Sequence, residues 1–388
     1  MTAVLVPEPG TMGATVAGPH PGTKGALMRR FATAATLATT LATLPPLGGQ
    51  PAAAAVQRLR VIDCRDANPA CWPTAFAFTP NGEQVFYVER FTGQIRRHTL
   101  ATNHDVQWAK LTNVSTDGEQ GVLGLDLDPR WTRGPKFRWV YVYYTHQGPL
   151  QNWIIRMRRL AGGGIRRLTL QKVAGATGYH NGGVIHFGPD GKLYAVTGEA
   201  HQPSRAQDLD DPAGKVLRLN RNGTRPVDNP IPGSKAYSYG HRNSFGFAFD
   251  PETGDVWQTE NGPECEDEVN HVLPGRNYGW GPSSDCPNTS ESGPNPQQPE
   301  LKYTPTIAAT GAVFCDGCGL GPAPEGDLLF GSYKSGIIRR LTLNGARDGV
   351  VEQHQVVNNP LGVLAMEDAP GGRVYFSDRS GIFRLRQV

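Results

Sequence analysis

One phrase recurs along this chain and limits what it can fold into. It consists of an apolar strand, a turn of the Pro-Asn/Asp-Gly kind, a second strand ending in small or acidic residues, and then a strand alternating basic and apolar positions. It reads FAFTPNGEQVFYVER with TGQIRRHTL from Phe76, LGLDLDPRW with VYVYYT from Leu123, and VIHFGPDGKLYAVTGE with GKVLRLNRNG from Val184. It returns as FGFAFDPETGDVWQTE with DEVNHVLPG from Phe245, as APEGDLLFGSYKSGIIRRLTLNG from Ala323, and as DAPGGRVYFSDRSGIFRL from Asp368. Turns of this kind close hairpins because Gly takes the positive φ that other residues resist. Alternating apolar positions then face a neighbouring sheet. Six copies of about 55 residues come near the roughly 40–50 of a propeller blade, with the surplus in long loops. The expected fold is therefore all-β, a six-bladed β-propeller over residues 56–388. A two-sheet sandwich would explain repeated strands but not one repeated strand-turn-strand phrase.

Composition agrees, since 48 Gly and 32 Pro supply abundant turns. A formal net charge of +3 over 388 residues gives no electrostatic case for nucleic acid or anionic membrane as partner. Residues 1–55 read as an export signal region: Met28-Arg29-Arg30, an Ala/Leu/Thr stretch to about Leu47, and a small-residue run from Ala52 to Ala55. Met28 is read as the working initiator, and the arginine pair leaves the export route open. No other stretch reaches the roughly 18–20 apolar residues of a membrane span, so a secreted or periplasmic protein is expected. All six cysteines follow the signal, as Cys64 and Cys71, Cys265 and Cys286, Cys315 and Cys318. An even count in an oxidising compartment reads as disulfides, with connectivity open. The Cys315-Asp316-Gly317-Cys318 motif is also compatible with redox chemistry or half a zinc site.

Chemistry in a propeller is expected on loops at one end of the central channel. Three loops stand out. Tyr179-His180-Asn181-Gly182-Gly183 precedes the third unit, and Gly198-Glu199 follows its second strand, so a carboxylate can reach the imidazole and hold it as a base; a lone His there would be a structural hydrogen-bonder. Tyr239-Gly240-His241-Arg242-Asn243 presents a guanidinium and an amide ahead of a strand, where such residues also tie down loops. Glu260-Asn261-Gly262-Pro263-Glu264-Cys265-Glu266-Asp267-Glu268 sets five carboxylates beside Gly-Pro carbonyls, a donor set for calcium or simply a solvated acidic loop.

These phrases, in this order, resemble the glucose/sorbosone dehydrogenase family, the soluble quinoprotein sugar dehydrogenases. The likeness runs from EQGVLGLDLDP at Glu119 through HNGG, GKVLRLNRNG, DNPIP, YGHRNSFGF and QTENGP to PGRNYGWG. It implies a propeller holding pyrroloquinoline quinone (PQQ) and calcium over the channel mouth. By that resemblance His180 is the base, Glu199 orients it in place of the family's usual Asp, and Arg242 polarises the quinone carbonyl. Glu119, Asn243 and Lys334 contact the cofactor. Gly262 and Pro263 offer carbonyls to its calcium, and Glu268 and Tyr278 bind a second, structural one. The substrate is a small-molecule sugar, and electrons pass to an external acceptor.

One departure stands out. Where the quinoproteins carry Arg-x-Arg-Asp, whose guanidiniums clamp the cofactor's carboxylates, this chain has Asn359-Pro360-Leu361-Gly362-Val363. Unless Arg339, Arg340 or another base substitutes, PQQ binding weakens, because bidentate guanidinium pairs are among the stronger contacts open to a carboxylate. The alternatives are a cofactor-free propeller binding a carbohydrate or protein, and a calcium-dependent lactonase. A dehydrogenase requires His180, Glu199, Arg242, Asn243 and Lys334 at one pocket, with a basic group near Pro360 and Gly362.

Overall fold

The computed structural model describes residues 55–65, 71–175, 177–321 and 325–388. The export-signal reading lies outside these residues, Ala55 excepted. Six four-stranded antiparallel sheets follow one another along the chain. Their innermost strands are Phe76–Phe78, Val122–Leu127, Gly182–Phe187, Ser244–Phe249, Ala309–Phe314 and Ala365–Asp368. Each packs against the next, and the last against the first, so the ring is closed. We number the blades 1 to 6 in that order.

The repeated phrase leaves out the outermost strand of every blade, such as His104–Lys110 and Val350–Asn358, and one innermost strand. Ala309–Phe314 opens blade 5, but no Pro-Asp-Gly turn follows it, so its unit was read only from the next hairpin. Val56–Asp63 is the outermost strand of blade 6, paired antiparallel with Gly381–Gln387. The ring is thus shut by strands from opposite ends of the described chain.

Each blade is buried on both faces, and strand alternation divides its side chains between two neighbours. In Val140–Gln147 of blade 2, Val140 and Val142 pack with Phe86, Ile95 and Trp108 of blade 1, while Tyr141 and Tyr143 pack with Ile185, Leu193 and Leu217 of blade 3. Similar apolar layers fill the other four blade interfaces. The cysteines are bonded as Cys64–Cys71, Cys265–Cys286 and Cys315–Cys318, which leaves Cys315 and Cys318 no thiolate to offer zinc.

The strand ends point to two unlike channel mouths. At one, Asp126, Glu367 and Asp368 meet His186 around a cavity of about 310 Å³. Burial pushes Asp126 up to about 7, so the folded state retains a proton there that the unfolded chain releases near pH 4. Its contribution to stability is present at acid pH and lost as pH rises from about 4 through about 7. Relative to wild type, Asp126→Asn is therefore expected to gain about 1 kcal/mol between pH 5 and pH 8, discounted for its partial exposure. Urea unfolding at the two pH values measures this.

Candidate active site

At the other mouth, side chains arrive from two kinds of position that the topology brings together. One kind lies just ahead of an innermost strand: Glu119 before Val122–Leu127, His180 before Gly182–Phe187, Arg242 and Asn243 before Ser244–Phe249. The other lies one or two residues past the second strand of a blade: Glu199 after Leu193–Thr197, Asn261 after Val256–Glu260, Lys334 after Leu328–Ser332. The inner strands of blades 2, 3 and 4 enter with register shifts at Val122/Gly124, Gly182/Ile185 and Ser244/Gly246. Bulges of this kind re-aim side chains next to sites.

Five of the sequence-expected residues form one hydrogen-bonded network. The His180 N–H donates to Glu119 Oε2 at 2.8 Å, and Asn243 Nδ2 donates to the same oxygen at 3.1 Å. Asn243 Oδ1 accepts the Gly182 N–H at 3.1 Å. His180 Nδ1 meets Glu199 Oε1 at 2.5 Å, while the Gln202 N–H fixes Glu199 Oε2 at 2.6 Å. Glutamate in place of aspartate therefore still reaches the imidazole. A carboxylate at Nδ1 favours the tautomer protonated there, which leaves the lone pair on Nε2. The loop folds back tightly enough that a Cβ on residue 198 would lie 2.0 Å from the His180 carbonyl oxygen, so that position needs Gly. His180, Ala200 and His201 all take left-handed φ of 56–58°, the kind of backbone strain that concentrates at functional sites. His201, which sequence reasoning passed over, lies with its ring 4.0 Å from that of His180.

Arg242 joins the network through its backbone, accepting the Glu199 N–H at 3.0 Å and donating its own N–H to Glu260. Its Nη1 donates to the Asn261 carbonyl at 2.8 Å, its guanidinium lies 5.1 Å from the Trp280 ring, and its Nε is buried without a partner among the described residues. Burial pushes its pKa down, against the attraction of Glu199, Glu260, Glu119 and Asp267.

The acidic run is engaged by protein partners: Glu260 and Glu268 lie opposite each other on adjacent strands, and Thr289 Oγ1 bonds both Glu266 and Glu268. Glu260 holds His241 Nδ1 at 2.8 Å, and Glu266 takes Thr289 Oγ1 at 2.6 Å and Lys302 Nζ at 3.1 Å. Asp267, whose role gave no sequence signal of its own, accepts the N–H groups of Gly262 at 3.0 Å and of Ile307 and Ala308 at 2.7 Å. It thereby ties the Gly262-Pro263 turn to the loop that receives the Lys334 N–H at Ile307 O, 3.1 Å away. Glu268 is buried under Ser290 Oγ and Asn270 Nδ2, and the Tyr278 hydroxyl is committed to His271 O at 2.6 Å and the Leu273 N–H at 2.8 Å.

A cavity of about 370 Å³ opens beside the network, which supplies Glu119, Gly182 and Asn261 to its wall, with Trp72, Arg90 and Tyr333 also lining it; His180, Glu199, Arg242, Asn243 and Lys334, expected at one pocket, are not among its lining residues. The proposed substitutes Arg339 and Arg340 are elsewhere. Arg339 is buried against Ser332 and Ser335 Oγ, and Arg340 pairs with Asp327 at 3.1 Å. The basic group beside Leu361 is instead Arg379, whose Nε donates to that carbonyl at 3.2 Å.

A six-bladed propeller that gathers a carboxylate-held imidazole and a half-buried guanidinium beside a cavity at one channel mouth has the layout of an enzyme acting on a small molecule. The glucose/sorbosone dehydrogenase model matches residues 71–384, and the chain belongs to that family of sugar dehydrogenases. It is 30% identical to an uncharacterised protein of Synechocystis sp. over 78% of this chain and 80% of that one. It is 28% identical to the aldose sugar dehydrogenase YliI of Escherichia coli, over 74% and 81%. Among solved structures, the PQQ-bound aldose sugar dehydrogenase of Streptomyces coelicolor superposes with a TM-score of 0.72 at 25% identity, covering 86% of this chain and 98% of that one. Within the described residues, no helix is long and apolar enough to cross a membrane.

Proposed function

We propose that this chain is an exported, PQQ- and calcium-dependent dehydrogenase that oxidises an aldose or related sugar to its lactone and hands the electrons to an external acceptor. The observation that carries the reading is the 2.5 Å contact of His180 Nδ1 with Glu199, which leaves Nε2 free as a base at the same mouth as the Arg242 guanidinium. Export is supported by the basic-apolar-small pattern of residues 28–55 and by three disulfides.

The residues fit both groups. A cavity of about 370 Å³ suits a tricyclic ligand; Glu119 is on its wall, Asn243 acts by holding Glu119 at 3.1 Å, and the exposed Lys334, whose Nζ is 3.5 Å from Thr306 Oγ1, would have to swing in to reach it. The Gly262 and Pro263 carbonyls accept no hydrogen bond among the described residues, and oxygen donors of this kind suit calcium. A Cβ on residue 262 would fall 1.9 Å from Cys265 O and 2.6 Å from Glu266 O, so the turn folds main-chain oxygens closely together. For the second calcium, burial first and Glu260 second push Glu268 up to about 7, and Asn270 Oδ1 is buried without a partner; a cation would relieve both. Tyr278 would contribute its carbonyl, its hydroxyl being engaged.

When bound, PQQ supplies the hydride acceptor. His180 Nε2 takes the proton of the anomeric hydroxyl, since hydride leaves readily from a developing alkoxide. Glu199 holds the ring and stabilises the imidazolium that forms. Arg242 sets a fixed positive charge where negative charge grows.

The sequence at Asn359–Val363 favours a second reading, a propeller without the cofactor that binds a carbohydrate or protein. Titrating the purified protein with PQQ, with and without calcium, and following the quinone's absorbance separates the two. The dehydrogenase reading requires calcium-dependent binding at micromolar concentration; its absence favours the second reading.

A further inference from the structure

We propose that Arg90 and Arg379, packed on Trp72 at the seam of blades 1 and 6, form the anion clamp of this cavity and receive the carboxylates of a planar aromatic ligand. The inference rests on the PQQ reading above and concerns the part of the site for which this chain lacks the family's usual residues.

The repeat itself points to these two positions. Arg90 lies two residues past the second strand of blade 1, Gln84–Val88, and Arg379 one past that of blade 6, Val374–Asp378. In blades 3, 4 and 5 the corresponding positions are those of Glu199, Asn261 and Lys334, so six-fold topology aims both arginines at the same mouth. Their guanidinium carbons lie 5.5 Å and 5.8 Å from the Trp72 ring centroid. Trp72 and Arg90 line the cavity together with Tyr333, whose ring is 6.2 Å from that of Trp72. The Cys64–Cys71 disulfide anchors the residue before Trp72.

Neither guanidinium is in a direct ion pair, although the Glu119 charge acts on Arg90. Among the described residues no carboxylate lies within ion-pair distance of Arg90 or Arg379, whereas Arg96, Arg205, Arg218 and Arg347 each have one. Arg90 spends Nε and Nη2 on the carbonyls of Gln120 and Gly118, bracketing Glu119, and Arg379 spends only Nε, on Leu361 O. Arg90 Nη1 and both Nη groups of Arg379 remain as donors.

The structure also shows why residue 362 is not an arginine. Gly362 has φ +75°, and a Cβ there would lie 2.7 Å from Tyr333 O and 2.8 Å from its ring. No arginine fits at 362 while Tyr333 occupies that space. In this chain the tyrosine ring fills that space, and the guanidiniums stand at the neighbouring second-strand ends, at Arg90 and Arg379. Aromatic faces with flanking guanidiniums suit a flat, multiply anionic ring system.

The test compares PQQ with its trimethyl ester, which keeps the rings but masks the carboxylates, on the full protein with calcium. Arg379→Gln can retain the bond to Leu361 O, and Arg379→Lys retains charge without the fork. Arg379→Gln is expected to weaken PQQ about 10- to 100-fold, to leave the ester's affinity unchanged, and to unfold at the wild-type temperature; Arg379→Lys falls between. Arg90→Lys should repeat the pattern in smaller degree. Equal PQQ affinity in wild type and Arg379→Gln overturns the clamp and leaves the dehydrogenase reading standing. An equal loss for PQQ and ester also overturns it, showing a role in shape only. No PQQ binding by wild type overturns the dehydrogenase reading and the clamp with it.

Discussion

Replacing His180 with alanine is expected to lower the turnover of the PQQ-loaded protein by about 10³-fold, within the roughly 10²- to 10⁴-fold range of a positioned general base. The contacts identify what is lost. Glu199 fixes Nδ1 at 2.5 Å, so the only nitrogen removed from chemical use is Nε2. The bond that locates the loop, from the His180 N–H to Glu119 Oε2 at 2.8 Å, belongs to the main chain and survives the substitution. Cofactor affinity should therefore stay within a few-fold of wild type while turnover collapses. Steady-state dye reduction, alongside a PQQ titration of the same sample, separates the two quantities. Full turnover in the variant would remove His180 from the mechanism.

Arg242→Ala is expected to cost about 10²- to 10³-fold in turnover, the loss seen when one preorganised electrostatic group is deleted. The guanidinium is half-buried, bonded at Nη1 to Asn261 O at 2.8 Å, and has no carboxylate in ion-pair contact among the described residues. A charge held without a direct counter-charge contributes little to folding, so the thermal midpoint should move by only a few degrees. Arg242→Lys keeps a positive charge but not the planar fork and should recover part of the rate. A variant that loses stability rather than turnover would instead make Arg242 a structural tie.

Much of the architecture was legible because the propeller writes itself locally: each Pro-Asp-Gly hairpin declares a blade. What stayed hidden was non-local. Val56–Asp63 pairs with Gly381–Gln387 across more than 300 residues, and nothing in VQRLRVID marks it as the strand that closes a ring. The site was legible where the chemistry is carried by paired phrases, as with His180 and Glu199. Charge density alone did not divide the work of the acids of residues 260–268: Glu260 holds His241, Asp267 ties down the Gly262 turn, and Glu266 and Glu268 share Thr289. Arg90 and Arg379 were overlooked although their signal was present, in VER and SDR at the strand ends where other copies read TGE and SYK. Reading the repeat by position, not by residue type, would have aligned them with Glu199 and Lys334.

The central claim is that the mouth formed by Glu119, His180, Glu199, Arg242 and Asn243 oxidises sugars by way of bound PQQ. Its most direct measurement is dye reduction by the purified protein reconstituted with PQQ and calcium, across a panel of aldoses, with PQQ-free protein and His180→Ala as controls. The expected result is sugar-dependent reduction that requires PQQ and calcium together and falls about 10³-fold in the variant. Calcium-dependent PQQ binding with no reduction by any aldose, or a rate identical in wild type and His180→Ala, would contradict it.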